Sequence, residues 1–597
     1  MPRRSLLGLL LLSFVVRCAT SPHTETLDAA TAAEVRRLVD EQMKSQHIPG
    51  AVLAIVRDDR VISMQTFGVR DIEHNLPVTP DTLFPIGSCT KAFTSMEIAR
   101  SADRGLLSLD DHPRKFLPYL QLADPEADAK VTIRDMLSHR TGLKAYADLA
   151  AEPGVLTREE YIRAATSAKP AVPFRTKFQY SNAMYAAAGE IAGRVNHTTW
   201  EEIIASDLFK PLAMTSSVSV ITDMLKSSDH ATGYVFDKSY RAVPAPKSLA
   251  ALAPGGAIAS TARDMTRWLR MLANSGRGFV SPAMFRELTT PLISVSPAIS
   301  YALGWAVYDW NGLRVVEHNG GSEGISAIIS FIPEKHLGFV FLANTSSNAM
   351  TKVGTGAATL LYPLLLGQKN PPQPVAPTPP KPVPPPVADI PPAAALIARM
   401  IDATGGEAAL RAHTSLEIHA RKSYDNEGVF ADLTIQSKSP NLHNETEVWT
   451  AANREIGRFR LYFDGTHGGQ ETTFGQDSIN DEAANERDRR QYAFPQLLAL
   501  RNQPITVRPG DDDSWILDLS PDLRLLVSRK TALVTGREKE GEKATFTDYR
   551  NVDGELIPFR TTIEDNLGTS TITIENIRFN VPFDNSLWRA VAKLPLW

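Results

Sequence analysis

Leu83-Phe84-Pro85-Ile86-Gly87-Ser88-Cys89-Thr90-Lys91 runs directly into Ala92-Phe93-Thr94-Ser95-Met96-Glu97-Ile98-Ala99, and the reading of this junction decides the fold. An extended segment gives way to helical spacing at Ser88, so Ser88 and Lys91, at i and i+3, share one helix face. A serine hydroxyl is a poor nucleophile until a neighbouring base takes its proton. A lysine can be that base only when burial or a nearby cation lowers its pKa from about 10.4. Taken alone, the S-x-x-K spacing reads as a helix start with a solvated lysine, since both residue types are common.

Working outward, 597 residues are too many for one ordinary domain, and two or three are expected. With 43% apolar and 22% charged residues the chain is composed like a soluble globular protein. A formal charge of −4 gives no footprint for a nucleic-acid partner. Arg3 and Arg4 precede the apolar run Leu6 to Val16, shorter than the roughly 20 residues that span a bilayer. Residues 1–21 therefore read as an export signal, with a bacterial envelope location, periplasmic or membrane-anchored, as the expectation. Cys18 resembles the lipid-modified cysteine of a lipoprotein, but Arg17 stands where a small residue is expected, and ordinary cleavage near Cys18 to Ser21 is the alternative. With Cys18 removed, Cys89 is the sole cysteine, so no internal disulfide forms, and it reads as a buried small apolar residue.

Thr31-Ala32-Ala33-Glu34 reads as a capping box opening a helix with Val35, Leu38, Val39 and Met43 at helical spacing. Ala51 to Val56 and Val61 to Phe67, split by the polar turn Arg57-Asp58-Asp59-Arg60, read as a hairpin. From Leu106 to about Leu272 the pattern is mainly helical, with runs at Thr132 to Leu137, Ala183 to Arg194, Trp200 to Leu208 and Ala262 to Leu272. Strand signals return at Leu313 to Glu317, Ile325 to Ile332 and Gly338 to Ala343, and a helix is expected from Met350 to Leu366. These elements suggest one antiparallel sheet, flanked by helices, built from both ends of the segment and interrupted by a helical insertion, an α/β (α+β) unit.

In the stretch Pro371 to Pro392, twelve of 22 residues are proline, which favours extended polyproline II reaching roughly 70 Å at about 3.1 Å per residue. Residues 368–393 are the expected linker. Beyond it, Ala394 to Thr404 reads as a short helix stopped by Gly405-Gly406. The remainder to residue 597 alternates as strands do, as in Phe459, Leu461, Phe463 and Ile572, Ile574.

Two further sites could serve the Ser-Lys pair. Tyr180-Ser181-Asn182 precedes a helical run; a phenol near Ser88 could shuttle a proton and the Asn182 amide could grip a carbonyl. His318-Asn319-Gly320-Gly321 follows a strand-like run, where the glycines allow close backbone approach and His318 could supply a proton or positive potential. Each alone reads equally as a turn or a strand-end bulge.

In this order the three sites resemble the S-x-x-K, Y-x-N and K-T-G or H-x-G motifs of the serine β-lactamase and penicillin-binding protein superfamily, nearest its class C β-lactamase, D,D-peptidase and esterase branch. Leu137-Ser138-His139-Arg140-Thr141-Gly142-Leu143, Leu208 to Met214 and Pro254 to Ala262 are similar to family segments, and the resemblance covers about residues 30–367. It implies that Ser88 forms an acyl-enzyme, Lys91 helps remove its proton, Tyr180 relays that proton to the leaving group, and Asn182 orients the substrate. The N–H groups of Ser88 and Gly321 would form an oxyanion hole beside Gly320. It implies no cofactor and no metal, and a small-molecule or peptide substrate. His318 departs from the lysine of the β-lactamases proper, and a mostly neutral imidazole favours an ester or peptide over an anionic β-lactam. The alternative is a non-catalytic penicillin-binding-type sensor or envelope scaffold. Residues 394–597 resemble the LolA-like lipoprotein-sorting fold, a half-barrel that implies lipid or lipoprotein contact; a plain structural or interaction module is the other reading.

Overall fold

The computed structural model describes residues 26–143, 155–370 and 390–589, apart from short stretches at 238, 245–247, 323, 347–348, 425–427, 452, 474–477, 481, 492–493, 511–512, 521–522, 540 and 566–568. The expected export signal with Cys18, and most of the proline-rich linker, lie outside the described residues.

Helix α1 (Ala29–Ser45) buries Val35, Val39 and Met43. Its cap is Asp28 rather than the expected Thr31: the Asp28 carboxylate accepts from both the backbone N–H and the hydroxyl of Thr31, so Thr31 is consumed inside the first turn. Strands β1 (Gly50–Arg57) and β2 (Arg60–Asp71) form the hairpin, and the pairing Arg57↔Arg60 shortens its turn to Asp58-Asp59. Asp58 has φ 52°, a left-handed conformation that aspartate adopts more readily than most residues.

The chain returns to this sheet after the helical insertion. Strands β3 (Ala306–Trp310), β4 (Leu313–Ser322), β5 (Ile325–Ile332) and β6 (Leu337–Ala343) stack antiparallel, and β6 pairs with β1 through Leu53↔Phe341. The sheet has nine strands, in the order Leu76–Pro77, β2, β1, β6, β5, β4, β3, Ser300–Tyr301, Ile293–Ser294. Alternation along β1 sorts the two cores: Val52, Ala54 and Val56 face the helical lobe, while Ala51, Leu53 and Ile55 face α1 and the closing helix. That closing helix is Ala357–Leu366, later than expected, because Gly354 (φ 75°) and Gly356 interrupt the run after a 3-10 turn at Ala349–Thr351. Strand β4 continues through Ser322, so His318 to Gly321 stand within a strand instead of following it.

In the helical lobe, α2 (Thr90–Asp103) is buried almost all round, as a helix enclosed on every side must be. Around it stand α3 (Arg158–Ser167), α4 (Asn182–Val195) and α5 (Ala262–Ala273). The expected helix from Trp200 divides into an α-helix, Trp200–Ile204, and a π-helical turn, Ala205–Phe209.

Beyond the linker, α6 (Ala393–Thr404) lays Leu396, Ile397, Met400 and Ile401 on Trp515, Leu517, Leu525 and Val527 of a thirteen-stranded antiparallel sheet. Strands β7 (Ser415–Tyr424), β8 (Val429–Lys438), β9 (Leu442–Ala451) and β10 (Arg454–Phe463) are consecutive neighbours in it. The ends of these hairpins reach the helical lobe. Val429, Ala451 and Ile456 join its apolar core, and Arg454 pairs with Glu160 of α3 at 3.1 Å. Gly428 sits so close that a Cβ there would lie 2.2 Å from the Ala164 carbonyl oxygen. The second sheet is thus packed against the helical lobe, despite the long spacer that the sequence provides.

Candidate active site

Ser88 lies in a 3-10 turn, Gly87–Cys89, that runs straight into α2. Gly87 takes φ 49°, and a Cβ there would stand 2.6 Å from the amide nitrogen of Gly321. A Cβ on Gly320 would come within 1.9 Å of the Ile86 carbonyl oxygen and 2.9 Å of the Ser88 nitrogen. Only glycine at both positions lets β4 lie directly against the turn that carries the hydroxyl. That contact brings the backbone of Gly320 and Gly321 against the backbone of Gly87 and Ser88.

Lys91 is completely buried one turn on, and its Nζ donates to Ser88 Oγ at 3.1 Å, to the Gly255 carbonyl at 2.8 Å and to Asn182 Oδ1. Asn182 reaches it as the first residue of α4, and Gly255 through the short helical turn Ala253–Gly256. Thr94 ties α2 to that turn by donating to the Pro254 carbonyl at 2.7 Å. The Tyr180 hydroxyl donates to Ser88 Oγ at 2.6 Å, and Lys91 Nζ stands 4.5 Å from the Tyr180 ring centroid. Ser88, Lys91, Tyr180 and Asn182 therefore converge, as the resemblance implies, with Tyr180 reaching Ser88 from 92 positions away.

His318 converges on the same place but not in the expected role. Its Nδ1 lies 2.5 Å from the Asn319 carbonyl and its Nε2 2.8 Å from the Tyr301 hydroxyl. Nδ1 must carry the proton to meet a carbonyl, so Nε2 accepts from Tyr301. Burial, with the Lys91 charge nearby, pushes the imidazole down to about 3. His318 is a neutral strut with both nitrogens occupied, so it does not provide the positive potential the sequence suggested. Cys89 is also inert: its thiol donates to the His318 carbonyl at 3.3 Å and burial pushes it up to about 12.

Gly255, Tyr301 and His139 are parts of this constellation that the motifs did not single out. Gly255 and His139 were visible only inside family-like segments without a role of their own, and Tyr301 carried no signal on its two-residue strand.

A protein-family model described as "Beta-lactamase" matches residues 35–362, more than half of the chain. The chain belongs to the beta-lactamase family. Proteins of this beta-lactamase fold are generally serine hydrolases. "Protein flp" of Staphylococcus aureus (strain N315) is 26% identical over 325 residues, 54% of this chain and 64% of that one. "Unguisins hydrolase ungD'" of Aspergillus campestris (strain IBT 28561) is 29% identical over 357 residues, 55% of this chain and 63% of that one. The chain spans less than two thirds of the length of these curated relatives. The octameric penicillin-binding protein homologue from Pyrococcus abyssi superposes with a TM-score of 0.51 at 21% identity, covering 90% of this chain and 99% of that one. This beta-lactamase-family chain thus shares a fold with that homologue.

Proposed function

We propose that the protein is a serine hydrolase that cleaves an ester or amide through an acyl-Ser88 intermediate. The observation that carries this reading is the hydrogen bonding at Ser88 Oγ, which lies within reach of both Lys91 and Tyr180. In its amine form Lys91 has two N–H groups and one lone pair. The N–H groups match Asn182 Oδ1 and the Gly255 carbonyl, leaving the lone pair for the Ser88 hydroxyl. As Oγ attacks the substrate carbonyl its proton passes to Nζ; when the tetrahedral intermediate collapses Tyr180 gives its phenolic proton to the leaving group and takes up the one on Nζ, so both side chains return to their starting forms, and water then hydrolyses the acyl-Ser88 ester. The amides of Ser88 and Gly321 suit the oxyanion, a role in which one donor is worth about 2.7 to 4 kcal/mol.

The neutral His318 supports uncharged esters or peptides over substrates that need a cation at this strand for an anionic carboxylate. The test compares wild type and Ser88→Ala with short-chain nitrophenyl esters, a D-Ala-D-Ala peptide and a chromogenic cephalosporin, with phosphonate labelling as the covalent readout. Ester turnover exceeding that of the peptide and the cephalosporin, which both carry a free carboxylate, and abolished in Ser88→Ala, is expected. Phosphonate labelling that survives Ser88→Ala overturns the assignment of the nucleophile.

A further inference from the structure

We infer that His139 is the positioning residue that holds Tyr180 at Ser88, an inference that rests on the serine-hydrolase reading. Tyr180 belongs to no helix or strand: the segment from Lys177 to Ser181 is irregular until α4 begins at Asn182. A proton relay needs its phenol held to within about 0.5 Å, so something outside that segment must fix it. His139 does so from both sides of Tyr180. Its backbone carbonyl accepts the Gln179 N–H at 2.8 Å, and its ring Nδ1 accepts the Ser181 N–H at 3.1 Å. The ring itself lies against Tyr180, with centroids 4.3 Å apart and planes tilted by 34°.

The residue is built into its place rather than left there. His139 is completely buried, with φ 57°, at the end of the short helix Ile133–Leu137 that packs on α4. Phe178, Tyr185 and Tyr301 enclose its ring at centroid distances of 5.4, 5.1 and 4.9 Å. Because Nδ1 accepts, Nε2 carries the proton, and Nε2 meets no hydrogen-bond partner among the described residues. An imidazole kept in apolar surroundings with one nitrogen unmatched is poor design for stability alone. Its compensation is the doubly anchored loop, since a phenylalanine would fill the same aromatic cage and anchor nothing at Ser181. Burial, with the Lys91 charge nearby, keeps the ring neutral, the only state in which Nδ1 can accept.

Two variants separate position from bulk. His139→Phe keeps a flat ring and loses the Nδ1 acceptor. His139→Asn loses the ring, offers an amide oxygen close to where Nδ1 stood, and tolerates the left-handed backbone. On the nitrophenyl ester that wild type turns over, His139→Phe is expected to lower kcat about 100-fold with KM within about threefold, and His139→Asn to recover at least tenfold of that loss. Histidine-selective 15N NMR of the full chain at pH 7 is expected to show one imidazole with a bare Nδ1 and a protonated Nε2 that disappears in His139→Asn. This reading holds even where His139→Phe does not fold. Wild-type kcat in His139→Phe, no recovery in His139→Asn, or a His139 protonated on Nδ1 each overturns the inference. A wild type that phosphonate fails to label overturns the hydrolase reading and this inference with it. A labelled wild type with an indifferent His139→Phe overturns this inference alone.

Discussion

Tyr180 donates its hydroxyl hydrogen to Ser88 Oγ across 2.6 Å, while its ring faces Lys91 Nζ at 4.5 Å. The two contacts use different parts of one side chain, so Tyr180→Phe removes the first and keeps the second. Positioned acid–base groups contribute about 10²- to 10⁴-fold to rate. Acylation of Ser88 in Tyr180→Phe is expected to slow within that range, with the melting temperature close to wild type. Pre-steady-state release of nitrophenol from an activated ester measures it. An unchanged acylation rate would assign the proton transfer to Lys91 alone.

Gly320 and Gly321 are neighbours with different burdens. A Cβ on Gly320 would lie 1.9 Å from the Ile86 carbonyl oxygen, whereas one on Gly321 would meet only the Ile325 carbonyl oxygen at 3.4 Å. Gly320→Ala must push β4 away from the Ser88 turn, costing about 3 kcal/mol of stability and most of the activity. Gly321→Ala is expected to fold normally. Urea denaturation of the two variants beside wild type checks the contrast, and equal stabilities would mean that the strand and the turn have room to separate.

Much of this site was legible because its chemistry is local. Ser88 and Lys91 share a turn and Tyr180-Ser181-Asn182 sits at a helix start; each spacing alone was ambiguous, and the resemblance carried by the three motifs in order singled them out. The sheet was legible too, since alternation and apolar runs marked β1, β2, β5 and β6. What the sequence withheld depends on contacts between distant segments. The role of His318 turned on Tyr301, seventeen residues upstream on a two-residue strand, whose hydroxyl consumes the nitrogen that would otherwise face a substrate. The cap of α1 turned on Asp28, three residues upstream, which accepts the N–H of Thr31 itself. The proline run proclaimed a spacer, and the buried Val429, Ala451 and Ile456 reveal that the second sheet is packed against the helical lobe.

Glu317, one residue from His318, points to the opposite face of the sheet, where Tyr308 donates to it at 2.6 Å. Burial pushes its carboxyl up to about 7 from 4.5. The folded chain therefore keeps a proton that the unfolded chain gives up near pH 4.5. Stability from this group is fully present below pH 4.5 and is lost as pH rises through 7, a change of about 3 kcal/mol for a shift of this size. Glu317→Gln keeps an acceptor for Tyr308 and never ionises. Relative to wild type it is expected to gain stability between pH 5 and pH 8, by up to about 3 kcal/mol, in urea denaturation at the two pH values. Glu97, also pushed up to about 7, is present in both proteins and cancels. A difference independent of pH would mean that Glu317 ionises as an exposed carboxylate does.

The packing of the second sheet on the helical lobe offers two contacts of unlike value. Arg454 and Glu160 remain 48% and 32% exposed, so water screens the pair and Arg454→Ala is expected to cost within about 1 kcal/mol. Ile456 is completely buried in the core it shares with α3, and truncating a buried isoleucine costs about 2 to 5 kcal/mol. Because α3 packs on α4, which begins with Asn182, the loss at Ile456 is also expected to reach the site, lowering kcat while the isolated Ser-Lys chemistry is untouched. Denaturation curves for Ile456→Ala and Arg454→Ala, read beside ester turnover below the transition, separate the two contributions. Equal, small costs would show the second sheet to be merely tethered, with its apolar residues contributing nothing to the lobe that carries Asn182.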